Sequence, residues 1–139
     1  MAQVITPYLL YEDVAGALDF LSGAFGFEEH LRFTGEAGYV NHAEMRLGEA
    51  VIFLGDPGDQ YKNPKALGQE TVGIYVLVDD VDAHFGRAKA AGVEISEEPK
   101  DQEYGERRYT ATDHEGHVWF FATPTRDVAP EEWGATVSG

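Results

Sequence analysis

YLLYEDVAGALDFLSGAFGFEE, residues 8–29, and YVLVDDVDAHFGRAKAAGVEI, residues 75–95, read as two copies of one unit. Aligning Asp13 with Asp80, an offset of 67, pairs Val14 with Val81 and Leu18 with Phe85. Gly26 then pairs with Gly92 at an offset of 66, so one residue has been dropped. Internal repetition of this length can decide a fold. In each copy an extended apolar run meets an acidic residue suited to accept the free N–H groups of a helix's first turn: Asp13 in the first, Asp80 or Asp79 in the second. Val14, Ala17, Leu18, Leu21 and Phe25 then share a helical face, as do Val81, Phe85, Ala88 and Ala91. Glycine suits the left-handed residue that stops such a helix.

Three strand-like runs follow each helix: 27–34, 38–47 and 50–55, then 93–97, 106–113 and 117–123. Gly48-Glu49 and Glu115-Gly116-His117 read as hairpin turns. Each unit is therefore βαβββ, and the fold class is α+β with mostly antiparallel sheets. Module one runs to about residue 57 and module two over about 71–124 within one domain. A linker, 58–70, lies in the Gly-, Pro- and Asp-rich stretch DPGDQYKNPKALGQE (56–70) and is either a solvated connector or a lid. In the tail, 125–139, Trp133 is a large apolar residue able to dock on the body or on a partner chain.

Composition narrows the function. With 139 residues, 43% of them apolar, the chain can bury one real core. Without cysteine it has no disulfide scaffold, thiolate metal site or cysteine nucleophile. Ten basic against twenty-five acidic residues, a formal net charge of −15, argue against nucleic acid or an anionic membrane as partner. A cationic small molecule would be attracted, although solubility alone also accounts for the charge. The N-terminal residues lack the basic flank of a signal peptide, and no run approaches membrane-span length, so a cytoplasmic location is expected.

On LLYEDVAGALDFL, YVLVDDVDAHFGRAKAAGV and YGERRYTATDHEGHVWFF the chain resembles the vicinal oxygen chelate superfamily, over roughly residues 3–124. That superfamily holds glyoxalase I, bleomycin resistance proteins, fosfomycin resistance enzymes and extradiol dioxygenases. The resemblance implies two sheets curled around a cavity, with one metal ligand on each of four strands in the metalloenzymes. Carried over by position, those four places are Thr6, Phe53 (or Ile52 if the turn is one shorter), Gly73 and Phe120. A lone threonine hydroxyl cannot hold a divalent ion that wants several N or O ligands, so no metal or other cofactor is expected. His42 and Glu44, two apart on a strand, point to the same face, but two ligands are too few for a displaced site and no third is evident nearby in sequence. His30 lies among Glu28 and Glu29 at a strand end, His84 on a helix, and His114 and His117 flank a turn, so none of them is read as a ligand.

Strand alternation sorts the remaining residues. Thr6, Tyr8 and Leu10 should face the cavity, with Ile5, Pro7 and Leu9 toward the helices. Gly73, Tyr75, Leu77, Val118 and Phe120 follow the first parity. His42, Glu44 and Arg46, and likewise Arg108 and Thr110, fall on the concave side. Aromatic walls (Tyr8, Phe53, Tyr75, Phe120) around a small polar group (His42, Glu44, Arg46, Arg108) are the make-up of a small-molecule pocket. Alternatively the aromatics are core, and Glu44 forms a structural ion pair with Arg46 or Arg108. No serine has a His–Asp pattern around it, and Gly-rich phosphate loops are missing.

These readings converge on a non-catalytic binding protein of bleomycin-resistance character. It would be a homodimer sequestering a cationic or aromatic molecule between subunits through Thr6, Tyr8, His42, Glu44, Arg46, Phe53, Tyr75, Arg108 and Phe120, with no catalytic residue. The alternative is an enzyme of the same fold, with a displaced metal at His42 and Glu44 or metal-free acid–base chemistry at His42.

Overall fold

In the computed structural model, which describes residues 3–139, the repeat is realised as two four-stranded sheets. One compact unit holds the described residues up to Val72 together with Asp113–His117. The other holds Gly73–Thr112 and Val118–Gly139. Sequence repetition places 113–117 in the second module, yet in space this turn belongs to the first unit.

In the first unit β1 (Tyr8–Leu10) leads into α1 (Val14–Phe20), then β2 (Glu28–Thr34), β3 (Val40–Leu47) and β4 (Ala50–Gly55), followed by the short α2 (Pro64–Leu67). The sheet order is β1-β4-β3-β2, with β1 parallel to β4 and the other pairs antiparallel. The second unit repeats the plan with β5 (Gly73–Leu77), α3 (Val81–Ala90), β6 (Glu94–Asp101), β7 (Glu106–Thr112) and β8 (Val118–Pro124). Its order is β5-β8-β7-β6, with β5 parallel to β8. The α+β, tandem βαβββ expectation holds. No helix among the described residues is long and apolar enough to cross a membrane.

The caps act as their chemistry dictates. Asp13 accepts the Gly16 N–H at 3.0 Å, and Asp80, rather than Asp79, accepts that of Ala83 at 3.1 Å. Gly26 and Gly92 follow the helices with φ of 82° and 81°, a conformation costly for any residue with a Cβ. Beyond Phe20 the first helix loosens into a π-type turn, Leu21–Phe25, which keeps Leu21, Ala24 and Phe25 buried. Leu9, Ala43, Met45, Ile52 and Leu54 bury the helix-facing side of the first sheet, and Tyr109, Ala111, Trp119 and Phe121 that of the second. Burial of a Leu- or Phe-sized side chain stabilises by about 1.5–3 kcal/mol, so these faces dominate each unit's stability.

Three expectations need correction. Ile5 does not face a helix; pairing begins only at Tyr8, and Ile5 is 85% exposed. Ala91 is the exposed C-cap of α3 rather than part of its buried face. β6 runs on to Asp101, through Pro99, which an outer strand tolerates because it pairs on one side only and its register shifts between Glu97 and Lys100. The stretch 56–70 contains α2, capped by Asn63 at 2.8 Å, and is tied down.

That fastening centres on the turn 113–117. Asp113 accepts the Tyr11 hydroxyl at 2.7 Å and the Glu115 and His117 N–H groups at 3.0 Å. The buried Glu115 carboxylate accepts the Glu12 and Asp13 N–H groups at 2.7 and 3.0 Å, beside the Asn63 amide at 3.2 Å. Tyr61 donates to the Leu10 carbonyl at 3.0 Å, as does His117 Nε2 at 2.8 Å. Burial, reinforced by Asp113, pushes the Tyr11 phenol well above its ordinary value, and burial with nearby carboxylates pushes Tyr61 up to about 12.

Candidate functional site

Each sheet has a side turned away from its helix, and there the polar and aromatic residues of interest gather. In the first unit β4 buries Ile52 and turns Phe53 to this open face, which decides between the two. Phe53 lies in register with Tyr8 on β1 and Glu44 on β3, while His42 pairs with Gly55. Gly55 has a reason to lack a side chain: a Cβ there would lie 2.6 Å from Tyr8 Cε1, so the tyrosine ring rests over bare backbone. Tyr8, His42 and Phe53 meet edge to face, with ring centroids 5.4 to 5.7 Å apart, the arrangement aromatic quadrupoles prefer.

A hydrogen-bonded chain crosses this face. His42 Nε2 lies 3.0 Å from Glu44 Oε2, and His42 Nδ1 lies 2.9 Å from the Tyr8 hydroxyl. Of the two arginines that the alternative reading offered Glu44 as ion-pair partner, Arg46 does not take that place, and Glu44 engages His42. Both His42 and Arg46 stand two residues from Glu44 on β3, so alternation brings either within reach. Arg46 instead donates to His30 Nε2 at 3.1 Å. Thr6 precedes β1, and its hydroxyl accepts from the Gln3 amide at 3.2 Å.

The second unit builds a different network on the same plan. Tyr75 is in register with Phe120, and their rings stack with centroids 5.9 Å apart. A Cβ at Gly73 would collide with Phe120 Cε2, so again a glycine admits an aromatic ring. The Arg108 guanidinium sits 5.3 Å above the Phe120 ring centre, within cation–π range. Arg108 donates to the Tyr104 hydroxyl at 3.0 Å and approaches Glu97 at 3.5 Å; Thr110 also donates to Glu97, at 3.0 Å. Tyr75 donates to Glu106 and lies 3.1 Å from the Tyr104 hydroxyl. With the Tyr75 proton committed to a carboxylate, Tyr104 donates to Tyr75, and the chain runs from Arg108 through two phenols to Glu106. Burial and Glu106 together raise the Tyr75 phenol far above its ordinary value. Trp133 docks within its own unit, edge-on to Tyr104 at 6.1 Å.

Alternation thus brings Tyr8, His42, Glu44 and Phe53 together in one unit, and Tyr75, Arg108 and Phe120 together in the other. Five neighbours escaped it. Leu31 and Phe33 stand opposite Glu44 and His42 on the open face, and Phe33 is 61% exposed. Their alternation was visible in the sequence, but a register shift between Glu29 and Leu31 hides which face they take. Glu97, Tyr104 and Glu106 carry no local signal beyond their polarity.

The four positions where metalloenzymes of this fold keep their ligands do not fit a metal ion. In the first unit they are Thr6 and Phe53, and in the second Gly73 and Phe120, whose ring occupies the space a side chain at Gly73 would need. Two phenylalanines and a glycine supply no side-chain donor. His42 and Glu44 serve each other as partners, and among the described residues no three His, Cys, Asp or Glu side chains group as metal ligands.

Two βαβββ units, each with an aromatic open face, define a protein of the glyoxalase-like class. The chain matches the Glyoxalase/Bleomycin resistance protein/Dioxygenase superfamily over residues 3–121 and belongs to that superfamily. An uncharacterised protein of Mycobacterium bovis is 34% identical over 139 residues, covering 96% of this chain and 91% of the relative. TioX from Micromonospora sp. ML1 is similar in structure, with a TM-score of 0.74 and 33% identity over 88% of this chain and 99% of TioX. TnmS3, an antibiotic binding protein from Streptomyces sp. CB03234, shares the fold with a TM-score of 0.65 and 22% identity, over 90% of this chain and 99% of TnmS3.

Proposed function

We propose that the chain is a non-catalytic small-molecule binding protein whose open faces take an aromatic, cationic ligand of antibiotic type. One observation carries the reading. In each unit an exposed tyrosine and a phenylalanine stand in register around a few oriented polar groups, apolar area for affinity and polar points for orientation. The net charge of −15 favours cations, and TnmS3 is a case of this fold serving antibiotic binding. The reading includes a homodimer acting in the cytoplasm, with sedimentation at about twice the chain mass; a monomer at micromolar concentration removes that part.

The test is calorimetric titration of bleomycin-type and planar cationic antibiotics. Binding tighter than millimolar, weakened by added salt, supports the proposal. If none binds while a neutral or anionic metabolite binds and is turned over, it fails. The second reading then replaces it: a metal-free enzyme of the same fold with His42 as acid–base residue, favoured by the Glu44–His42–Tyr8 chain.

A further inference from the structure

We infer that the first unit's open face reads the hydrogen-bond polarity of its ligand: the Glu44–His42–Tyr8 chain turns the Tyr8 oxygen into an acceptor that selects aromatic molecules bearing a hydroxyl or N–H donor. This rests on the binding function proposed above and names the ligand class for that face.

The reasoning starts from the carboxylate. Glu44 can only accept, so the 3.0 Å contact places the imidazole proton on His42 Nε2. In the neutral ring Nδ1 is then a bare lone pair, and the 2.9 Å contact requires Tyr8 to donate to it. With its only proton spent, the Tyr8 oxygen offers its remaining lone pair to the outside. Tyr8 is 53% exposed, so that lone pair is within reach of a ligand. The Phe53 ring beside it supplies an apolar edge on which an aromatic ligand can lie. A ligand presenting only acceptors meets lone pair against lone pair at this point.

The same chain reverses with protonation. An imidazolium donates from both nitrogens, to Glu44 and to Tyr8, and frees the phenol proton to point outward. Glu44 on β3 and Tyr8 on β1 are the titratable groups against the ring; β2 presents Phe33, and β4 presents Phe53 and Gly55. The next charge along β3, Arg46, is engaged with His30.

The experiment uses the full chain with two matched neutral probes, 2-naphthol and 2-methoxynaphthalene, titrated at a higher pH where NMR shows the His42 ring neutral and at a lower pH where it shows the ring doubly protonated. Long-range nitrogen–proton NMR of His42 reports the tautomer independently. At the higher pH the expected results are an Nε2–H tautomer and about tenfold tighter binding of 2-naphthol, the ratio that one unmade hydrogen bond costs. At the lower pH the preference falls toward parity. Tyr8→Phe binds both probes alike, and Glu44→Gln weakens the preference while mixing the tautomer signals. An Nδ1–H tautomer, equal binding by the wild type, or an undiminished preference in Tyr8→Phe overturns this inference and leaves the binding function standing. Failure of the wild type to bind either probe at any pH also overturns this inference, while the binding function stands or falls with the antibiotic titration.

Discussion

His42 and Arg108 hold the same place in the two halves, opposite Gly55 and Ala122 on the neighbouring strand, and they do different things there. Around them the apolar frame is unchanged: Tyr8 matches Tyr75, Phe53 matches Phe120, and a glycine admits the ring in each. The polar groups have diverged. Glu44, beside His42 on its own strand, has Thr110 as its counterpart, and the acid serving Arg108 comes instead from Glu97 on the outer strand β6. One half carries a hydrogen-bonded chain of carboxylate, imidazole and phenol, and the other a guanidinium held between an aromatic ring, a phenol and a carboxylate. The two units thus share their apolar frame and differ in the polar groups set on it, which hydrogen-bond geometry permits at little cost to packing.

The hairpins that close the two sheets give the sharpest contrast. β3 turns into β4 through two residues, Gly48-Glu49, while β7 turns into β8 through Asp113–His117, which is built into the other unit. Asp113→Ala strands the Tyr11 hydroxyl and two N–H groups and should cost about 3 kcal/mol in urea unfolding. Glu49→Ala should stay within about 0.5 kcal/mol. Equal effects would break the comparison.

Alkaline pH tests both halves together. Tyr11 and Tyr61 in the first unit, and Tyr75 and Tyr109 in the second, have phenols raised above the ordinary value, chiefly by burial. The folded chain keeps protons that the unfolded chain releases above about pH 10, so stability is full below that pH and falls above it. Urea midpoints measured upward from about pH 9 should decline, and Tyr11→Phe should flatten the decline.

Phe53→Ala and Phe120→Ala measure which half holds the ligand more firmly. Each should weaken binding by about 1–3 kcal/mol in calorimetry if both faces contribute, and a loss confined to one assigns the site to that unit. Gly55→Ala and Gly73→Ala are the gentlest probes. Each forces a ring aside, Tyr8 from His42 or Phe120 from Arg108, at about 1 kcal/mol of stability. Unchanged ligand affinity in both would separate the rings from binding.

Much of this was legible in the chain. The repeat carried the βαβββ plan and the Asp13 and Asp80 caps, because capping and helical periodicity are local. Period-two alternation placed Tyr8, His42, Glu44 and Phe53 on one face for the same reason. What escaped was non-local or irregular. A register shift concealed the facing of Leu31 and Phe33. Tyr104 sits outside any strand, where periodicity says nothing, and alternation offered Glu44 both His42 and Arg46 without deciding between them; Arg46 is taken up by His30 from β2. The attachment of 113–117 to β1 and α1 depends on contacts that no window of sequence contains.

That attachment also orders events in time. Tyr11 and Asp113 stand 102 residues apart, and the amide groups at the start of α1 wait for a carboxylate 103 residues downstream. Chains emerge from the ribosome N-terminus first, and domains usually fold as they appear. Here the Tyr11 phenol and the Glu12 and Asp13 amides lack these partners until residues 113–115 have been made. Synthesis of the second half is thus a condition for the first to finish folding, and a polypeptide stalled before residue 113 exposes its earlier half to proteases and chaperones.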